Sequence, residues 1–315
     1  MEEAKHLLDV YQLTSKELVE LLETAIMYKK LRKKGIRCTR ELRGRSVAMI
    51  FEKPSTRTRA SFAVAVYEMG GLPVAYNREE LQLARGEPVK DLVRVLSRYH
   101  DAIAARVYHQ ENLEEMAKYS SVPVINLLSD KFHPLQALAD CMTIIEIFGK
   151  LKGIKLAFVG DGQDNVFNSL AIAGLKLGME IRIACPPEYG PKVSWLKKLA
   201  GEIEGTLEVY DEPLNAVKDV DVVYTDVFVS MGQEKEKDER LRSFLPRYRV
   251  SLELMKHAGT GAVFMHCLPA HRGEEVDETV IESERSVIFE QAENRLHTAK
   301  AVLKKLLCQE SPISF

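Results

Sequence analysis

The sequence has few of the features that mark membrane, secreted or nucleic-acid-binding proteins. No apolar stretch approaches the ~18 uninterrupted residues that a membrane-spanning helix requires. The N-terminal stretch MEEAKHLLDVYQLTSKE has no basic segment followed by an apolar run. The formal net charge is −2, with 46% hydrophobic and 29% charged residues, so the basic excess of nucleic-acid-binding proteins is missing. We therefore expect a cytoplasmic protein that has neither a membrane nor a nucleic acid as a partner.

Cysteine is scarce as well, and several cofactor motifs are missing. The five cysteines are widely separated without a CxxC pair, so we predict free thiols rather than disulfides or a structural zinc site. The sequence contains no GxxxxGK[ST] and no GxSxG, and GDGQDN (160–165) lacks the third glycine of GxGxxG. HCLPAH (266–271) brings two histidines and a thiol together, but no second metal-spaced pair accompanies it. The sequence thus predicts no ATP, NAD or metal site.

Short apolar runs alternate with segments of helical period along the whole chain. Nine runs read as buried strands: SVAMIFEK, LPVAYN, DAIAARVY, VPVINLL, KLAFVGDG, EIRIACPP, DVVYTDVF, AVFMHCLP and SVIFEQA. Segments with helical period lie between them, as in 59–69, 89–99 and 168–177. This alternation predicts an α/β fold in which parallel sheets are flanked by helices. A length of 315 residues favours two such domains.

The boundary between the two domains is predicted in the helix that begins after His133 and Pro134. Residues 1–132 form the first predicted domain and residues 133–315 the second, and interdomain helices join them. The helical stretch at about 292–315 is predicted to pack back on the first domain. TSKE (14–17) predicts a capping box at the start of a scaffold helix, and the charged segment 233–250 predicts a loop followed by a solvated helix.

FEKPSTRTRASF (51–62) collects hydroxyl and cationic side chains where a predicted strand gives way to a predicted helix. Residues 55–58 would therefore lie at a helix N-terminus, where N–H groups and the helix dipole attract an anion. The planar guanidinium of Arg57 can hold two phosphate oxygens, and the hydroxyls can add donors. The same residues also suit a simple N-cap beside solvated arginines, so this stretch alone leaves both interpretations equally open.

Further motifs follow PSTRTR in a fixed order along the chain. They are LQL (81–83), ARVY (105–108), HPLQALAD (133–140), DVFVSMGQE (226–234) and HCLPAHRGEEV (266–276). Together they closely resemble the motifs of the ornithine carbamoyltransferases, and the resemblance covers nearly the whole chain. The first-half motifs are shared with other carbamoyltransferases, whereas SMG and HCLP are typical of the ornithine branch. Asp164 and Phe228 depart from the common family pattern, which has Asn and Trp at these positions.

This resemblance implies a fold, an activity and an assembly. It implies one domain for carbamoyl phosphate and one for the amino acid, with the active site between them. The implied reaction transfers the carbamoyl group of carbamoyl phosphate to the δ-amine of L-ornithine, which yields L-citrulline and phosphate. No metal or organic cofactor takes part in it. The implied assembly is a homotrimer or a multiple of trimers.

The resemblance also implies which residues contact carbamoyl phosphate. They are Ser55, Thr56, Arg57, Thr58, Gln82, Arg106, His133, Gln136, Cys267, Leu268 and Arg295. Arg106, Thr58 and His133 would polarise the carbonyl oxygen, where negative charge develops during transfer. The carbamoyl NH₂ would meet Gln136, Cys267 and the backbone carbonyl of Leu268. Gln82 would reach the site of a neighbouring subunit.

A second implied group of residues binds ornithine. Asn165, Asp226, Ser230 and Met231 match the residues that hold its α-amino and α-carboxylate groups. Cys267, with Asp226, would help to remove a proton from the δ-ammonium, whose ordinary pKa lies near that of lysine, about 10.4. The implied catalytic residues are Arg57, Arg106, His133, Asp226 and Cys267.

Several alternatives stay open at the level of sequence. Taken singly, Arg106 could form a strand-end salt bridge, His133 could cap a helix, Gln136 could be an exposed polar residue and Cys267 an inert buried thiol. As a whole, the chain could carbamoylate putrescine or another amine, which would not need contacts to an α-carboxylate. It could also be a catalytically silent sensor of a phosphate ligand, because a fold does not fix a function.

Overall fold

Nine parallel strands in two sheets, with helices around them, make up the computed structural model, which describes residues 6–82, 86–230 and 232–308. The chain divides into two units, one of Met1–Met142 with Glu293–Phe315 and one of Thr143–Ala292. The predicted α/β fold class with two parallel sheets is confirmed. No helix within the described ranges is long and apolar enough to cross a membrane. All five cysteines are free thiols, as predicted.

The strands are β1 Ser46–Phe51, β2 Leu72–Asn77, β3 Ala102–Arg106, β4 Val124–Leu128, β5 Lys155–Val159, β6 Glu180–Ala184, β7 Thr206–Tyr210, β8 Val222–Tyr224 and β9 Val263–Met265. The helices are α1 Ser15–Lys33, α2 Thr56–Glu68, α3 Val89–Tyr99, α4 Gln110–Tyr119, α5 Pro134–Phe148, α6 Asn165–Lys176, α7 Val193–Ala200, α8 Pro213–Val217, α9 Lys237–Phe244, α10 Leu252–Met255, α11 Glu278–Ile281 and α12 Ile288–Leu307.

The first unit contains a four-stranded parallel sheet in the order β2-β1-β3-β4. The central strands β1 and β3 are almost entirely buried, as their continuous apolar sequences predict, while β2 lies at an edge and is partly exposed. The chain leaves β1 towards β2 on one side and later continues through β3 and β4 on the other. A switch of direction of this kind opens a crevice at the carboxyl ends of the two strands, β1 and β3, between which it occurs.

The second unit contains a five-stranded parallel sheet in the order β7-β6-β5-β8-β9. Here the chain builds outward from β5 through β6 and β7, and then returns to pair β8 with the other side of β5. The switch point therefore lies between β5 and β8, with β9 beside β8. The segments that follow β5, β8 and β9 thus begin at one edge of the sheet, where ligands bind in folds of this type.

The helix caps and strand boundaries agree with the sequence at some positions and differ from it at others. Thr14 caps α1, and its hydroxyl accepts from the N–H of Glu17 while the Glu17 carboxylate accepts from the N–H of Thr14, so the predicted capping box is confirmed. The predicted strand SVIFEQA is wrong, because α12 begins within it at Ile288. Strand β7, TLEVY, was not predicted. The segment 233–250 contains a short 3-10 turn followed by α9, but Arg240 and Phe244 of that helix are buried.

Candidate active site

The N-terminus of α2 lies directly after β1, at the switch point of the first sheet. Ser55 is the N-cap residue, with an extended backbone (φ −159°, ψ 108°), and its side chain makes no capping hydrogen bond to the described part of the helix. The first N–H groups of an α-helix have no intrahelical acceptors. Because Ser55 leaves them uncapped, this end of α2 keeps backbone donors and a positive dipole end available to an anion.

Arginine, histidine and threonine side chains meet beside this helix end. Arg295 of α12 donates from Nη2 to the hydroxyl of Thr58 (2.5 Å) and to Nε2 of His133 (3.4 Å). Thr58, His133 and Arg295 are all buried. Arg106 is the last residue of β3, which pairs in register with Phe51 of β1. The first unit therefore concentrates the cationic groups predicted for carbamoyl phosphate at one edge of its sheet.

His133 is a neutral imidazole in this environment. Burial lowers its pKa well below the ordinary value, and the positive charges of Arg295 and Arg106 lower it further. A neutral ring carries a single N–H, so it can donate one hydrogen bond and accept another. His133 thus offers a donor to a carbonyl oxygen without adding a positive charge to the cluster.

Two further predicted residues have polar atoms that are buried without a partner among the described residues. One is Nε of the half-buried Arg57, and the other is Oε1 of the fully buried Gln136. The amide nitrogen of Gln136 donates to Oδ1 of Asp140 (2.8 Å), which orients the amide and leaves Oε1 as the open acceptor. Buried polar atoms normally find partners, since leaving them unpaired costs about 1–3 kcal/mol. An open acceptor suits the NH₂ group of a ligand.

Gln82 differs from the rest of this predicted group. Its side chain is exposed, and within the described residues it is not seen to join the cluster around Thr58 and His133. The neighbouring residue Leu83 of the LQL motif lies outside the described residues. Gln82 as a phosphate ligand therefore stays a prediction.

In the second unit, a carboxyl group and a thiol meet at the ends of two neighbouring strands. Asp226 follows β8 and Cys267 follows β9. The Cys267 thiol donates a hydrogen bond to the Asp226 carboxyl group, which also accepts from the N–H of Val227 (2.7 Å). Burial raises the pKa of Asp226 well above its ordinary value, and the charge of Asp164 raises it further. A carboxylate with a raised pKa is a stronger base than an exposed one.

A buried histidine–glutamate pair fixes the backbone beside this thiol. His266 Nε2 lies 3.2 Å from Oε1 of Glu275, and both side chains are completely buried. Its Nδ1 accepts from the N–H of Leu268 (2.9 Å), a residue with a left-handed backbone (φ 60°) that an ordinary side chain adopts only under constraint. A carboxylate oxygen of Asp226, a ring nitrogen of His266 and Sγ of Cys267 lie within 4.8 Å of one another. Both ring nitrogens of His266 already have partners, so these contacts do not favour a metal site.

The predicted ornithine residues occupy two segments of the second unit. Asn165 is the first residue of α6, and the preceding Asp164 caps this helix by accepting from the N–H groups of Val166 (2.8 Å) and Phe167 (3.0 Å). Ser230 is half-buried, and its N–H donates to Oε1 of Gln233 (2.9 Å). Met231 lies outside the described residues, so its predicted role stays a prediction.

Some residues that shape this edge were not singled out in the sequence. They are Asp161, Arg240 and Glu275, and His266 was considered only as part of a possible metal motif. Asp161 and Arg240 form a buried ion pair although 79 residues separate them in the chain. The sequence signal is weak in each case: a charged residue within an otherwise apolar or turn-rich stretch, such as Asp161 in VGDG. Its partner can be identified only when the fold is known.

Two family models match the chain. The aspartate/ornithine carbamoyltransferase carbamoyl-P binding domain matches residues 5–146, and the Asp/Orn binding domain of the same family matches residues 152–306. An ornithine carbamoyltransferase of Hyperthermus butylicus is 54% identical over 96% of this chain and 97% of its own length. An anabolic ornithine carbamoyltransferase of Pyrococcus furiosus is 52% identical over 95% of each chain. The solved structure of an ornithine carbamoyltransferase from Pyrococcus furiosus has 51% sequence identity, covers 98% of each chain and superposes with a TM-score of 0.92.

Proposed function

Because this chain belongs to the aspartate/ornithine carbamoyltransferase family, we propose that its two groups of buried polar side chains divide the work of one reaction. The chain transfers the carbamoyl group of carbamoyl phosphate to the δ-amine of L-ornithine, and the products are L-citrulline and phosphate. The observation that carries this function is the presence in one chain of the Arg295–Thr58–His133 cluster and the Asp226–Cys267 pair. The first suits a phosphorylated carbonyl compound, and the second suits an amine nucleophile.

The first unit binds carbamoyl phosphate in this proposal, through the predicted domain 1–132 together with His133, Gln136 and Arg295, which the same unit contains. The phosphate dianion is held by the N-terminus of α2, from Ser55 to Thr58, together with the guanidinium groups of Arg57, Arg106 and Arg295. These cations remain in place while the phosphate gains charge as a leaving group. They therefore stabilise the transition state more than the bound substrate, which is the requirement for faster turnover.

The carbonyl end of the same substrate faces hydrogen-bond donors. Thr58, Arg106 and His133 donate to the carbonyl oxygen, on which negative charge builds when the amine attacks. The neutral state of His133 is supported by its burial and by the neighbouring arginines, which lower its pKa. Oε1 of Gln136 accepts from the carbamoyl NH₂, since this atom is buried without a partner in the described residues. Cys267 and the carbonyl oxygen of Leu268 complete the contacts to that NH₂ group.

The second unit, within the predicted domain 133–315, binds ornithine and prepares its amine. Asn165, Ser230 and Met231 hold the α-amino and α-carboxylate groups, and Asp226 and Cys267 face the δ-ammonium. An ammonium must lose a proton before its nitrogen has a lone pair for attack. The raised pKa of Asp226 brings the carboxylate closer in basicity to the amine, so proton removal is less unfavourable. The new C–N bond then forms as the C–O bond to phosphate breaks.

The assembly and cellular location belong to the same proposal. We propose a homotrimer or a multiple of trimers, in which the exposed side chain of Gln82 contacts the carbamoyl phosphate of a neighbouring subunit. The free thiol state of all five cysteines, including the exposed Cys38, suits the reducing cytoplasm.

Citrulline formation by the purified protein tests the proposed function. Carbamoyl phosphate is supplied with either ornithine or putrescine, and we expect citrulline from ornithine and no carbamoylated product from putrescine. Arg57→Ala is expected to reduce kcat/KM on the order of 10³-fold, because it removes a cation from the leaving phosphate.

Arg59→Ala provides a matched control for this test. Arg59 lies two residues further along α2, is exposed, and donates to Oδ1 of Asn77 (3.0 Å) rather than to the cluster. We expect its activity to stay within about threefold of wild type, as for most exposed substitutions. Equal losses in both variants would contradict a specific phosphate contact by Arg57. A preference for putrescine would contradict the ornithine specificity.

A further inference from the structure

A buried ion pair links the turn after β5 to helix α9. Arg240 donates from Nη2 to the carboxylate of Asp161, and each of the two side chains is only 5% exposed. Burial raises the pKa of Asp161, and the positive charge of Arg240 opposes that shift. A buried pair of this kind is a poor source of stability, because an apolar pair of similar volume is often equally stable. Its presence therefore calls for an explanation other than stability.

Asp161 belongs to the tight turn that leads into α6. Its Oδ1 accepts from the N–H of Gln163 (2.8 Å), and Asn165 begins the helix shortly afterwards. Gly162 packs so closely that a Cβ atom would lie 2.6 Å from Cδ of Pro191 and 2.8 Å from the carbonyl oxygen of Tyr189. The turn therefore has little room to move, and it presents Asn165 from a fixed place.

Arg240 reaches the second ornithine segment through its other donor. Its Nε donates to the backbone carbonyl of Phe228 (2.6 Å), midway between Asp226 and Ser230. The Phe228 ring stacks on Phe244 of the same helix, with centroids 4.6 Å apart and an interplanar angle of 9°. One guanidinium thus contacts both segments that carry the predicted ornithine residues.

We propose that Arg240, paired with Asp161, is a positioning residue that sets the spacing between Asn165 and the Asp226–Ser230 segment and thereby the affinity for ornithine. The inference rests on the proposed function and deepens it. Arg240 acts through the two segments and does not itself contact the substrate. Its planar fork binds the carboxylate and the backbone carbonyl at the same time, and a lysine ammonium cannot reproduce that geometry. A displacement of about 1 Å at a binding segment can cost ~10²-fold in catalytic efficiency.

Steady-state kinetics with one substrate varied at a time test this inference. Arg240→Met keeps an apolar stem without charge, and Arg240→Lys keeps the charge without the fork. For Arg240→Met we expect an increase in KM for ornithine of about 10- to 100-fold, with KM for carbamoyl phosphate changed less than about twofold. Arg240→Lys should fall between wild type and Arg240→Met. Arg242→Met, an exposed position two residues further along α9, should match wild type.

A binding measurement separates positioning from chemistry. L-Norvaline has the α-amino and α-carboxylate groups of ornithine but no δ-amine, so its calorimetric affinity in the presence of carbamoyl phosphate reports on the two segments alone. We expect Arg240→Met to weaken norvaline binding by the same factor as it raises KM for ornithine. A loss confined to kcat, or equal changes in both KM values, would overturn the inference.

Further outcomes keep this test separate from the proposed function. If Arg240→Met does not fold, Arg240→Lys and Asp161→Asn carry the same comparison, since Asp161→Asn preserves the shape of the turn residue. Wild-type affinity in both of these variants would also overturn the inference. A wild-type protein that makes no citrulline would refute the proposed function itself, whereas an active wild type with a wild-type-like Arg240→Met refutes only the role of Arg240.

Discussion

At the scale of single residues, the buried carboxylates of the second unit predict an unusual dependence of stability on pH. Burial and the charge of Asp161 raise the pKa of Asp164 to about 7. Between about pH 4 and pH 7, the carboxyl group therefore keeps its proton in the folded state, whereas in the unfolded state, with a pKa near 3.9, it has lost it. Because ionisation of Asp164 destabilises the folded state, the contribution of Asp164 to the free energy of unfolding falls as the pH rises from about 4 to about 7. Above that range the contribution is constant.

Asp164→Asn removes this ionisation and keeps the helix cap, because asparagine is an equally good N-cap residue. We expect the free energy of unfolding of the variant to exceed that of wild type by more at pH 8 than at pH 5. The increase in this difference should be up to a few kcal/mol. Urea titrations at the two pH values measure the difference. Asp277→Asn at the N-cap of α11 is a control, since its carboxylate is half-exposed. Identical differences between Asp164→Asn and wild type at both pH values would contradict the prediction.

Individual residue contacts were predictable only where a motif fixes them. The PSTRTR stretch predicts that Ser55 to Thr58 lie at a helix N-terminus, and α2 begins at Thr56. The partner of Thr58, in contrast, is Arg295, 237 residues away. A contact across such a separation depends on how the strands order themselves in the sheet. The periodicity of apolar residues does not encode this order. The resemblance to the ornithine carbamoyltransferases implies only that Thr58 and Arg295 both contact carbamoyl phosphate.

At the scale of elements, α1 offers a direct test of the capping box. Thr14→Ala removes the hydroxyl that accepts from the N–H of Glu17, and should lower the free energy of unfolding by about 1 kcal/mol. Thr24→Ala makes the same substitution in the middle of α1, where the hydroxyl donates back to the carbonyl oxygen of Glu20. There we expect no loss or a small gain, because alanine has the higher helix propensity. Urea titrations of both variants check this, and equal losses would refute a capping role.

Element types were predicted best where both faces of a strand are buried, or where a helix has a clear start signal. The prediction of a strand at SVIFEQA is wrong because a short apolar run can belong either to a buried strand or to the first turn of a buried helix. Only Ser286 forms a bridge, with Phe264, before α12 begins. Helix α6 begins three residues earlier than the apolar pattern suggested, because Asp164 supplies the cap. The charged helix α9 turns two of its residues inward for the ion pair and the aromatic stack.

At the scale of the whole molecule, sheet order explains why the predicted site residues are scattered along the sequence. Each sheet reverses its direction of growth once, so residues after β1 and β3 meet in the first unit and residues after β5 and β8 meet in the second. The alternation of strands and helices predicted the α/β class, because local periodicity encodes it. Strand order had to come from the structure.

Ligand-linked stability tests the first unit within the intact chain. A ligand that binds only the folded state adds ~2.7 kcal/mol to the free energy of unfolding at a concentration of 100 Kd. We expect carbamoyl phosphate to stabilise wild type and Arg59→Ala by this amount. In Arg57→Ala we expect the stabilisation to be lost. Urea titration near 25 °C followed by far-UV circular dichroism measures it. Fluorescence of the single tryptophan, Trp195 in α7, reports on the second unit in the same samples.

The comparison between these signals identifies where the ligand acts. A shift of the dichroism midpoint that exceeds the fluorescence shift assigns the stabilisation to the first unit, where Arg57 and the N-terminus of α2 lie. An equal gain in Arg57→Ala and wild type would mean that the anion binds elsewhere, and would remove Arg57 from the proposed phosphate contacts. Inorganic phosphate should give a smaller gain than carbamoyl phosphate. It can use the cationic groups, but it has no carbamoyl group, which Thr58, His133 and Gln136 bind in the proposed function.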